Sequence, residues 1–323
     1  MQTRLLTYLI LSLLLFGCGQ SKTKVLKLAH GLDVNHSVHK AMVKMGEDLK
    51  EVSGGKMTIE IYPSQQLGTE RECLELLQIG SLDMTKVSVG VMENFAPKMK
   101  VLGLPFLFRD REHAFQVLDG PLGQQLLDEG KDFWLKGLGY YDAGSRSFYT
   151  KDRPVEKPDD LEGMKIRVME SVTAMDMVRS LGGSPTPISW GELYTSLQQG
   201  VVDGAENNPP SFYLSRHYEV CKYYSLDEHT NLPDVLVMGT HAWDGLSKQE
   251  QQWLQEAVDR SVQFQRKLWA ESEKEALEAV IEAGVEVIRP DKSEFMDKVN
   301  GIYDQYKEDT ELHSIIQKIR ETK

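Results

Sequence analysis

The longest helical pattern of the chain begins at Ser247 and ends at Gly284, and no glycine or proline interrupts it before Gly284. Ser247 and Glu250 have the spacing of a capping box. Apolar residues at helical spacing, such as Val258 and Leu277, predict one continuous helix. At 1.5 Å per residue it is roughly 50 Å long, which exceeds what one small domain needs. We therefore expect it to bridge two lobes.

The region before this helix alternates between strand-like and helix-like patterns. Apolar and polar residues alternate over 25–30 and over 57–62, and a helical stretch that ends at Gly54-Gly55 separates the two strands. A helix near 70–78 and a strand over 84–89 repeat the pattern, which continues to residue 240. Strands that alternate with helices favour an α/β fold with largely parallel pairing.

Two arginines, Arg146 and Arg167, each lie within a short, otherwise apolar or aromatic strand-like run. Arginine is rarely buried without a partner, and its planar fork of donors fits a carboxylate through two parallel hydrogen bonds. An anion is therefore expected at both positions. It is either a bound ligand or one of the chain's own carboxylates, and the two arginine runs by themselves leave both open.

The charge balance excludes one class of partner. The chain has 323 residues, 41% of them hydrophobic, which is enough for two globular domains, and a formal net charge of -12. A nucleic-acid partner requires a basic face, which this surplus of carboxylates opposes. We expect no nucleic-acid partner, and positive charge confined to an internal site.

The N-terminal residues are typical of an export signal. Residues 5–16 form a mainly apolar run after Arg4, which suits a signal-peptide core and is short for a membrane span. Leu15-Phe16-Gly17-Cys18 resembles a bacterial lipoprotein cleavage box, which predicts a signal peptide over 1–17 and a lipidated Cys18. Phe16 is atypical for that box, so ordinary cleavage nearby is the alternative. We expect a periplasmic protein that contacts the membrane only through this anchor.

The remaining cysteines and a pair of histidines form no catalytic or metal-site pattern. Cys73 and Cys221 lie in separate amphipathic stretches, and two buried thiols are favoured over a disulfide. His36 and His39 are spaced for shared metal ligation, with Glu47 further along, but a helix-cap and surface role is favoured because no third ligand has supporting spacing. No HExxH, GxSxG or glycine-rich phosphate motif occurs, so we expect neither catalysis nor a cofactor.

The motifs after the second arginine are similar to those of a known family. In order and spacing, the chain resembles the DctP-type solute-binding proteins of TRAP transporters (tripartite ATP-independent periplasmic transporters). The resemblance rests on Gly182-Gly183-Ser184-Pro185-Thr186-Pro187, Trp190-Gly191-Glu192-Leu193-Tyr194 and Val202-Asp203-Gly204-Ala205-Glu206-Asn207. Tyr62-Pro63, Gln66-Leu67-Gly68 and Leu104-Pro105-Phe106 extend it over nearly all of the mature chain.

This resemblance implies a two-lobed α/β periplasmic binding protein, class II-like, whose long helix spans both lobes. We expect lobe I over 18–144 and 234–272, lobe II over 145–233 and 273–323, and the ligand cleft between the lobes. The family captures small organic acids and passes them to the small and large membrane subunits of the transporter. A monomer without catalytic activity is therefore expected.

The resemblance also assigns a carboxylate clamp to Arg167, with Arg146 and Asn207 as companions. The Asn207 amide would donate to the acid and leave its carbonyl for a hydroxyl. Trp190 would supply an aromatic wall for the apolar face of a sugar ring. Outside this motif, Asn207 would be read as a turn residue and Trp190 as a core residue.

Acidic residues and strand edges complete the expected site. Glu70 lies at the start of a predicted helix, where the helix dipole alone also favours a carboxylate. Members of the family that bind polyhydroxylated acids use an acidic side chain at this position to accept hydrogen bonds from ligand hydroxyls. Glu170 departs from the family, which often has asparagine there, and would add an acceptor. His30, Lys86 and Ser88 lie at carboxyl ends of strands, where open α/β sheets bind ligands.

These features together favour a sugar acid as the ligand, D-glucuronate or D-galacturonate, as in the hexuronate-binding branch that the chain resembles. The alternatives are sialic acid or a C4-dicarboxylate in the same class of transporter. A carboxylate-processing enzyme is the competing class, although the chain has no catalytic motif to support it.

Overall fold

A computed structural model describes residues 23–323, so the expected signal peptide and Cys18 lie outside the described residues. The strands are β1 (Lys24–Ala29), β2 (Met57–Tyr62), β3 (Met84–Ser88), β4 (Leu135–Tyr141), β5 (Ser145–Thr150), β6 (Lys165–Val168), β7 (Ser184–Pro187), β8 (Gly204–Asn207), β9 (Tyr223–Asn231), β10 (Asp234–Gly239) and β11 (Glu286–Ile288). The helices are α1 (Ser37–Val52), α2 (Glu70–Gln78), α3 (Val89–Met92), α4 (Arg111–Asp119), α5 (Pro121–Asp128), α6 (Val172–Ser180), α7 (Leu193–Gln198), α8 (Pro209–Leu214), α9 (Thr240–Asp244), α10 (Lys248–Glu282), α11 (Lys292–Asp304) and α12 (Thr310–Glu321).

The strands form two sheets, one in each lobe. The sheet of lobe I has the order β2-β1-β3-β10-β4, and the sheet of lobe II has the order β11-β9-β5-β8-β6-β7. In lobe I, β1 pairs in parallel with β2 and β3, and β10 is antiparallel to both β3 and β4. In lobe II, β6 pairs in parallel with β7 and β8, and β5 is antiparallel to both β8 and β9. The two-lobed α/β fold is confirmed. The sheets are mixed rather than largely parallel, because β5 and β10 enter their sheets from the opposite lobe.

Two short connections carry the chain between the sheets, residues 142–144 from β4 to β5 and residues 232–233 from β9 to β10. Gly144 has φ +60, and a Cβ there would lie 3.0 Å from the Nε1 of Trp269 on α10, so only glycine suits both the left-handed backbone and the close approach of that helix. Buried Gln265 donates to the Asp142 carbonyl and accepts from the Asp142 N–H, both at 2.8 Å. Helix α10 is therefore fixed to one of the crossings.

Helix α10 is the long helix that the sequence predicted. It spans 35 residues, and the capping box of Ser247 and Glu250 is present at its start. It packs against α1 in lobe I and against α8 in lobe II. Buried Leu254 and Val258 lie in the core of lobe I, and Val280 lies in the core of lobe II. The prediction of one helix that spans both lobes is confirmed.

The last two helices pack on different lobes. Helix α11 contacts α6 and β9 of lobe II, whereas α12 contacts α5 and the turn at Pro97–Gly103 of lobe I. Arg109 donates to the carbonyls of Arg320 at 3.1 Å and Thr322 at 2.7 Å. The expected placement of 273–323 in lobe II therefore does not hold for α12, since an amphipathic helix does not encode which lobe it packs against. The other lobe boundaries stay predictions.

Two smaller sequence predictions concern the thiols and the membrane. Cys73 and Cys221 are buried and free, as predicted. Burial raises the pKa of Cys73 to about 11 and that of Cys221 to about 12, so both thiols stay protonated at neutral pH. Within residues 23–323 no helix has the length and apolar character needed to cross a membrane.

Candidate functional site

A cleft between the two lobes encloses about 780 Å³, part of it open to solvent. Eight residues that the sequence singled out line this cleft: Glu70, Lys86 and Ser88 from lobe I, and Arg146, Arg167, Glu170, Trp190 and Asn207 from lobe II. Because both lobes contribute, the site is complete only when the lobes are together.

Arg167 on β6 is a buried cation without a carboxylate partner. The residue is 3% exposed, and its Nε donates to the Ile188 carbonyl at 2.8 Å. The guanidinium lies 5.9 Å from the ring centre of Trp190, and none of the ion pairs within residues 23–323 includes it. Burial lowers the pKa of Arg167, although an arginine stays protonated in proteins. An unpaired buried charge is costly, so this position favours a bound anion.

Arg146 on β5, in contrast, is neutralised by Glu206 on β8. Its Nη2 donates to Glu206 Oε1 at 2.8 Å and to the Glu206 carbonyl at 2.8 Å, and its Nε donates to Oε2 at 2.5 Å. Its Nη1 donates to Asn207 Oδ1 at 2.9 Å. Four of the five N–H groups of Arg146 are thus used within the protein. For Arg146 the anion is one of the chain's own carboxylates.

Asn207 presents its amide differently from the sequence expectation. Its Oδ1 accepts from Arg146 and from the N–H of Asn208, both at 2.9 Å. The carbonyl oxygen, which was expected to serve a ligand hydroxyl, is therefore occupied. The Asn207 side chain is buried and lines the cleft, and its amide nitrogen is the group left to donate to a ligand.

His229 and Asp227 extend the Arg146–Glu206 pair. His229 Nδ1 lies 2.8 Å from Asp227 Oδ2, and its Nε2 lies 3.5 Å from Glu206 Oε2. Burial alone would lower the pKa of His229, but the two carboxylates outweigh it and raise that pKa to about 9. Burial would raise the pKa of Glu206, but Arg146 and His229 lower it to about 2. Burial raises the pKa of Asp227, whereas His229 at 2.8 Å lowers it, and the short contact favours the ionised pair. In formal charges the two cations and two anions then balance, so this cluster offers no spare positive charge.

The lobe I wall of the cleft is acidic. Lys86 is 3% exposed, and its Nζ lies 3.0 Å from Glu70 Oε1 and 3.1 Å from Asp234 Oδ2. The other Glu70 oxygen accepts from the Ser88 N–H at 3.1 Å, and the Ser88 hydroxyl accepts from Gly90 N–H at the start of α3. Burial raises the pKa of Asp234, whereas Lys86 lowers it. In formal charges, one ammonium between two carboxylates leaves minus one. Lys86 and Ser88 therefore position Glu70, whose oxygens retain lone pairs toward the cleft.

Trp190 and Glu170 border the cleft from lobe II. Trp190 is half-buried and packs edge-on against His217, with ring centres 5.2 Å apart. The backbone carbonyl of Glu170 accepts from the Asn94 side chain at 2.7 Å, a contact between the lobes. The Glu170 carboxylate forms no hydrogen bond or ion pair within residues 23–323 and is free to accept from a ligand.

The expected role of His30 is wrong, because this residue does not line the cleft. It is 1% exposed, its Nε2 lies 2.9 Å from His39 Nδ1, and its Nδ1 accepts from the Leu32 N–H at 3.1 Å. Both ring nitrogens are thus engaged behind the cleft wall. The end of β1 marks the correct edge of the sheet, but the alternation of side chains along the strand places His30 inside lobe I.

His36 takes the cleft position instead. It caps α1 as expected, through Nδ1, which accepts from the Val38 N–H at 3.2 Å. It is not on the surface, however, since it is 3% exposed and lines the cleft. No group of histidine, cysteine, aspartate or glutamate in the described part of the chain is arranged to hold a metal ion.

Sequence reasoning missed several residues that line the cleft: Gln65, Asp234 and Trp269. Gln65 lies within the Tyr62 to Gly68 motif, which was available as a signal. Asp234 follows a crossing between lobes and carries no motif of its own. Trp269 is one apolar residue among many on α10, so only the three-dimensional packing identifies it.

Residues 28–309 match the family described as bacterial extracellular solute-binding protein, family 7, DctP. An uncharacterised protein of Salmonella typhimurium, YiiZ, is 39% identical over 323 residues, which is 99% of this chain and 98% of that protein. The match therefore extends over the whole length and not only over the motifs.

Two solved structures give the same result for the fold. A TRAP periplasmic solute binding protein from a Bradyrhizobium species, in complex with α/β-D-galacturonate, has a TM-score of 0.91 at 41% identity and covers 93% of this chain and 100% of its own. A TRAP periplasmic solute binding protein from Pseudomonas putida F1, with bound D-glucuronate, has a TM-score of 0.89 at 35% identity and covers 92% and 97%. Proteins of this family bind solutes and do not catalyse reactions. By profile, sequence and fold, this chain belongs to the DctP family of solute-binding proteins that serve TRAP transporters.

Proposed function

We propose that this protein captures a hexuronate, D-glucuronate or D-galacturonate, and delivers it to the membrane permease of a TRAP transporter. Arg167 is the observation that carries the proposal. Its Nε is held by the Ile188 carbonyl, its charge has no carboxylate partner, and it lines the cleft. Its remaining N–H groups suit the two oxygens of a carboxylate, and the Asn207 amide nitrogen adds a further donor.

The opposite wall favours a ligand with a single acid group. Lys86, Glu70 and Asp234 together carry a net negative charge, and Glu170 adds another acceptor on the lobe II side. A second carboxylate would be repelled there, whereas hydroxyls would donate to these oxygens. A hydroxylated monocarboxylate fits this pattern better than a C4-dicarboxylate. The Trp190 ring offers a surface for the apolar face of a sugar.

The solved relatives support a hexuronate over other hydroxylated acids. The Bradyrhizobium protein was solved with galacturonate and the Pseudomonas putida protein with glucuronate, and each structure aligns with more than 90% of this chain. The two sugars differ only in the configuration of one hydroxyl, so the carboxylate contact proposed for Arg167 serves both.

Calorimetry with a panel of ligands tests this proposal. D-glucuronate and D-galacturonate should bind, and D-glucose, which lacks the acid group, should bind at least about thirtyfold more weakly because the charge of Arg167 stays unpaired. Succinate and N-acetylneuraminate complete the panel. Tighter binding of either compound than of both uronates would overturn the hexuronate assignment and leave the solute-binding role intact.

We propose that the chain is exported, that cleavage precedes Cys18, that a lipid on Cys18 holds the protein at the membrane, and that it acts as a monomer toward the transporter subunits. Palmitate labelling of cells that express the wild-type chain or Cys18→Ser tests the anchor. An unlabelled wild-type chain, recovered wholly in the soluble periplasmic fraction, would contradict it. Light scattering of the purified protein gives the oligomeric state.

A further inference from the structure

Gln65, in the loop after β2, lines the cleft with an unused hydrogen-bond donor. Its Nε2 is buried and has no partner within residues 23–323. Ser64 and Gln65 both have left-handed backbones, with φ of 54° and 59°, which residues other than glycine rarely adopt. Buried amide groups are nearly always paired in folded proteins. A strained loop that holds an unpaired donor in a cleft indicates a binding role for that donor.

The same side chain contacts the opposite lobe at Gly191, which lies between β7 and α7. A Cβ on Gly191 would lie 2.1 Å from Gln65 Oε1. The Gln65 carboxamide therefore lies against the bare backbone of lobe II. Gly191 is not among the glycines with positive φ, so its backbone accepts other residues. A side chain at position 191 would therefore displace the Gln65 carboxamide without straining the backbone of Gly191.

His36 supplies a second unused donor from lobe I. Burial is the main cause that lowers the pKa of His36 to about 3, so its imidazole is neutral at neutral pH. Because Nδ1 accepts from the Val38 N–H, the proton of the neutral ring is on Nε2. That nitrogen is buried and has no partner in the described part of the chain.

We infer that Gln65 and His36 are ligand-binding residues, each donating a hydrogen bond to a non-carboxylate oxygen of the ligand, and that Gln65 couples this contact to lobe closure through Gly191. The inference rests on the proposed function and deepens it. Lobe I then carries both donors and the acceptor Glu70. A hydroxyl, which donates and accepts, satisfies such a wall, whereas a methylene satisfies neither kind of group. The wall thus selects the hydroxylated end of the ligand.

Matched variants test the two donors. Gln65→Ala removes the carboxamide, and Gln66→Ala is its control on an exposed neighbour. His36→Asn keeps an acceptor that caps α1 but removes the Nε2 donor. With the uronate that binds the wild type more tightly, Gln65→Ala and His36→Asn should each weaken binding about tenfold or more, and Gln66→Ala should stay within about twofold. Unchanged thermal unfolding of His36→Asn separates this effect from loss of the cap.

A double-mutant cycle tests the coupling. Gly191→Ala displaces the Gln65 carboxamide and should weaken binding about tenfold alone, but add little in the Gln65→Ala background. Additive effects would overturn the coupling, and wild-type affinity in both Gln65→Ala and His36→Asn would overturn the donor assignment. If those two variants bind normally while Arg167→Met does not, the proposed function stands and this inference fails. If no uronate binds the wild type, the proposed function fails and this inference fails with it.

Discussion

Arg146 and Arg167 lie on opposite sides of strand β8, on β5 and β6, but only Arg146 has a carboxylate partner. Both guanidiniums are buried and line one cleft. Glu206 on the shared strand neutralises Arg146 and leaves Arg167 unpaired. We therefore expect different roles for the two arginines, Arg146 in the folded structure and Arg167 toward the ligand, and opposite effects of their substitution on stability.

Replacement of Arg167 by methionine should abolish ligand binding and raise the stability of the unliganded protein. Methionine fills the same space without a buried unpaired charge, whereas the ligand's carboxylate loses its counter-ion, at a cost of about 2–5 kcal/mol. Calorimetry and urea unfolding without ligand measure the two effects. Arg167→Lys should also bind poorly, because one ammonium does not reproduce the fork. Near-wild-type affinity in either variant would contradict the clamp.

Replacement of Arg146 by methionine should instead destabilise the fold. It leaves Glu206 buried without its main cation, which typically costs about 3–5 kcal/mol. Adding Glu206→Gln should recover part of this loss, since the uncompensated negative charge is then gone. Urea unfolding of the single and double variants without ligand provides the comparison. Equal stability of Arg146→Met and the wild type would show that the ion pair does not support the fold.

The sequence indicated that both arginines are unusual cations in apolar strands, but it did not predict that only one of them has a carboxylate partner in the protein. Each is a cation in an apolar strand, and the partner of Arg146 comes from β8, some sixty positions further along the chain. Glu206 stands inside the predicted motif, yet its pairing depends on β5 and β8 being neighbours. Pairing between distant strands is a property of the fold and is not visible in the sequence. Both arginines were therefore predicted, from the family resemblance, to contact the ligand.

The histidines show a second limit of sequence reasoning. His30 and His36 are both near the edge of the first sheet, and the sequence favoured the one at the strand end. The structure places His36 in the cleft and buries His30 against His39. Local patterns identified the strand, the cap and the long helix, because these depend on neighbouring residues. Local patterns do not predict which side chain faces a cleft between two lobes, because that depends on tertiary packing.

Closure of the lobes should depend on contacts that do not touch the ligand. Glu93, which follows α3 in lobe I, accepts from Thr173 Oγ1 at 2.7 Å and from Thr173 N–H at 3.2 Å at the start of α6 in lobe II. Thr173→Val removes the first bond with little change in shape. It should weaken ligand binding roughly three- to tenfold, mainly through faster dissociation.

Stopped-flow release of the uronate measures this effect, with Thr195→Val on the exposed face of α7 as the control. Small-angle scattering should show a smaller radius of gyration for the wild type with ligand than without. An unchanged scattering profile at saturating ligand would count against a hinged closure. Equal release rates for the two valine variants would show that the contact between Glu93 and Thr173 does not contribute to closure of the lobes.

The His229 cluster should make the stability of the fold fall at alkaline pH. The pKa of His229 is raised to about 9 in the folded state by Asp227 and Glu206, against roughly 6.5 for an ordinary histidine. Because the pKa of His229 is higher in the folded protein than in the unfolded chain, its stabilising effect is complete at a pH below the pKa of the unfolded chain. The effect is lost as the pH rises through the pKa of the folded protein. The free energy of unfolding should therefore fall by up to about 1.4 kcal/mol per pH unit between these two values because of this group. His229→Asn should lack that slope. Urea unfolding of the wild type and His229→Asn from pH 6 to pH 9.5 gives the free energy of unfolding of each protein against pH, and the two curves should converge at the alkaline end. Parallel curves would show that His229 is neutral in the folded protein.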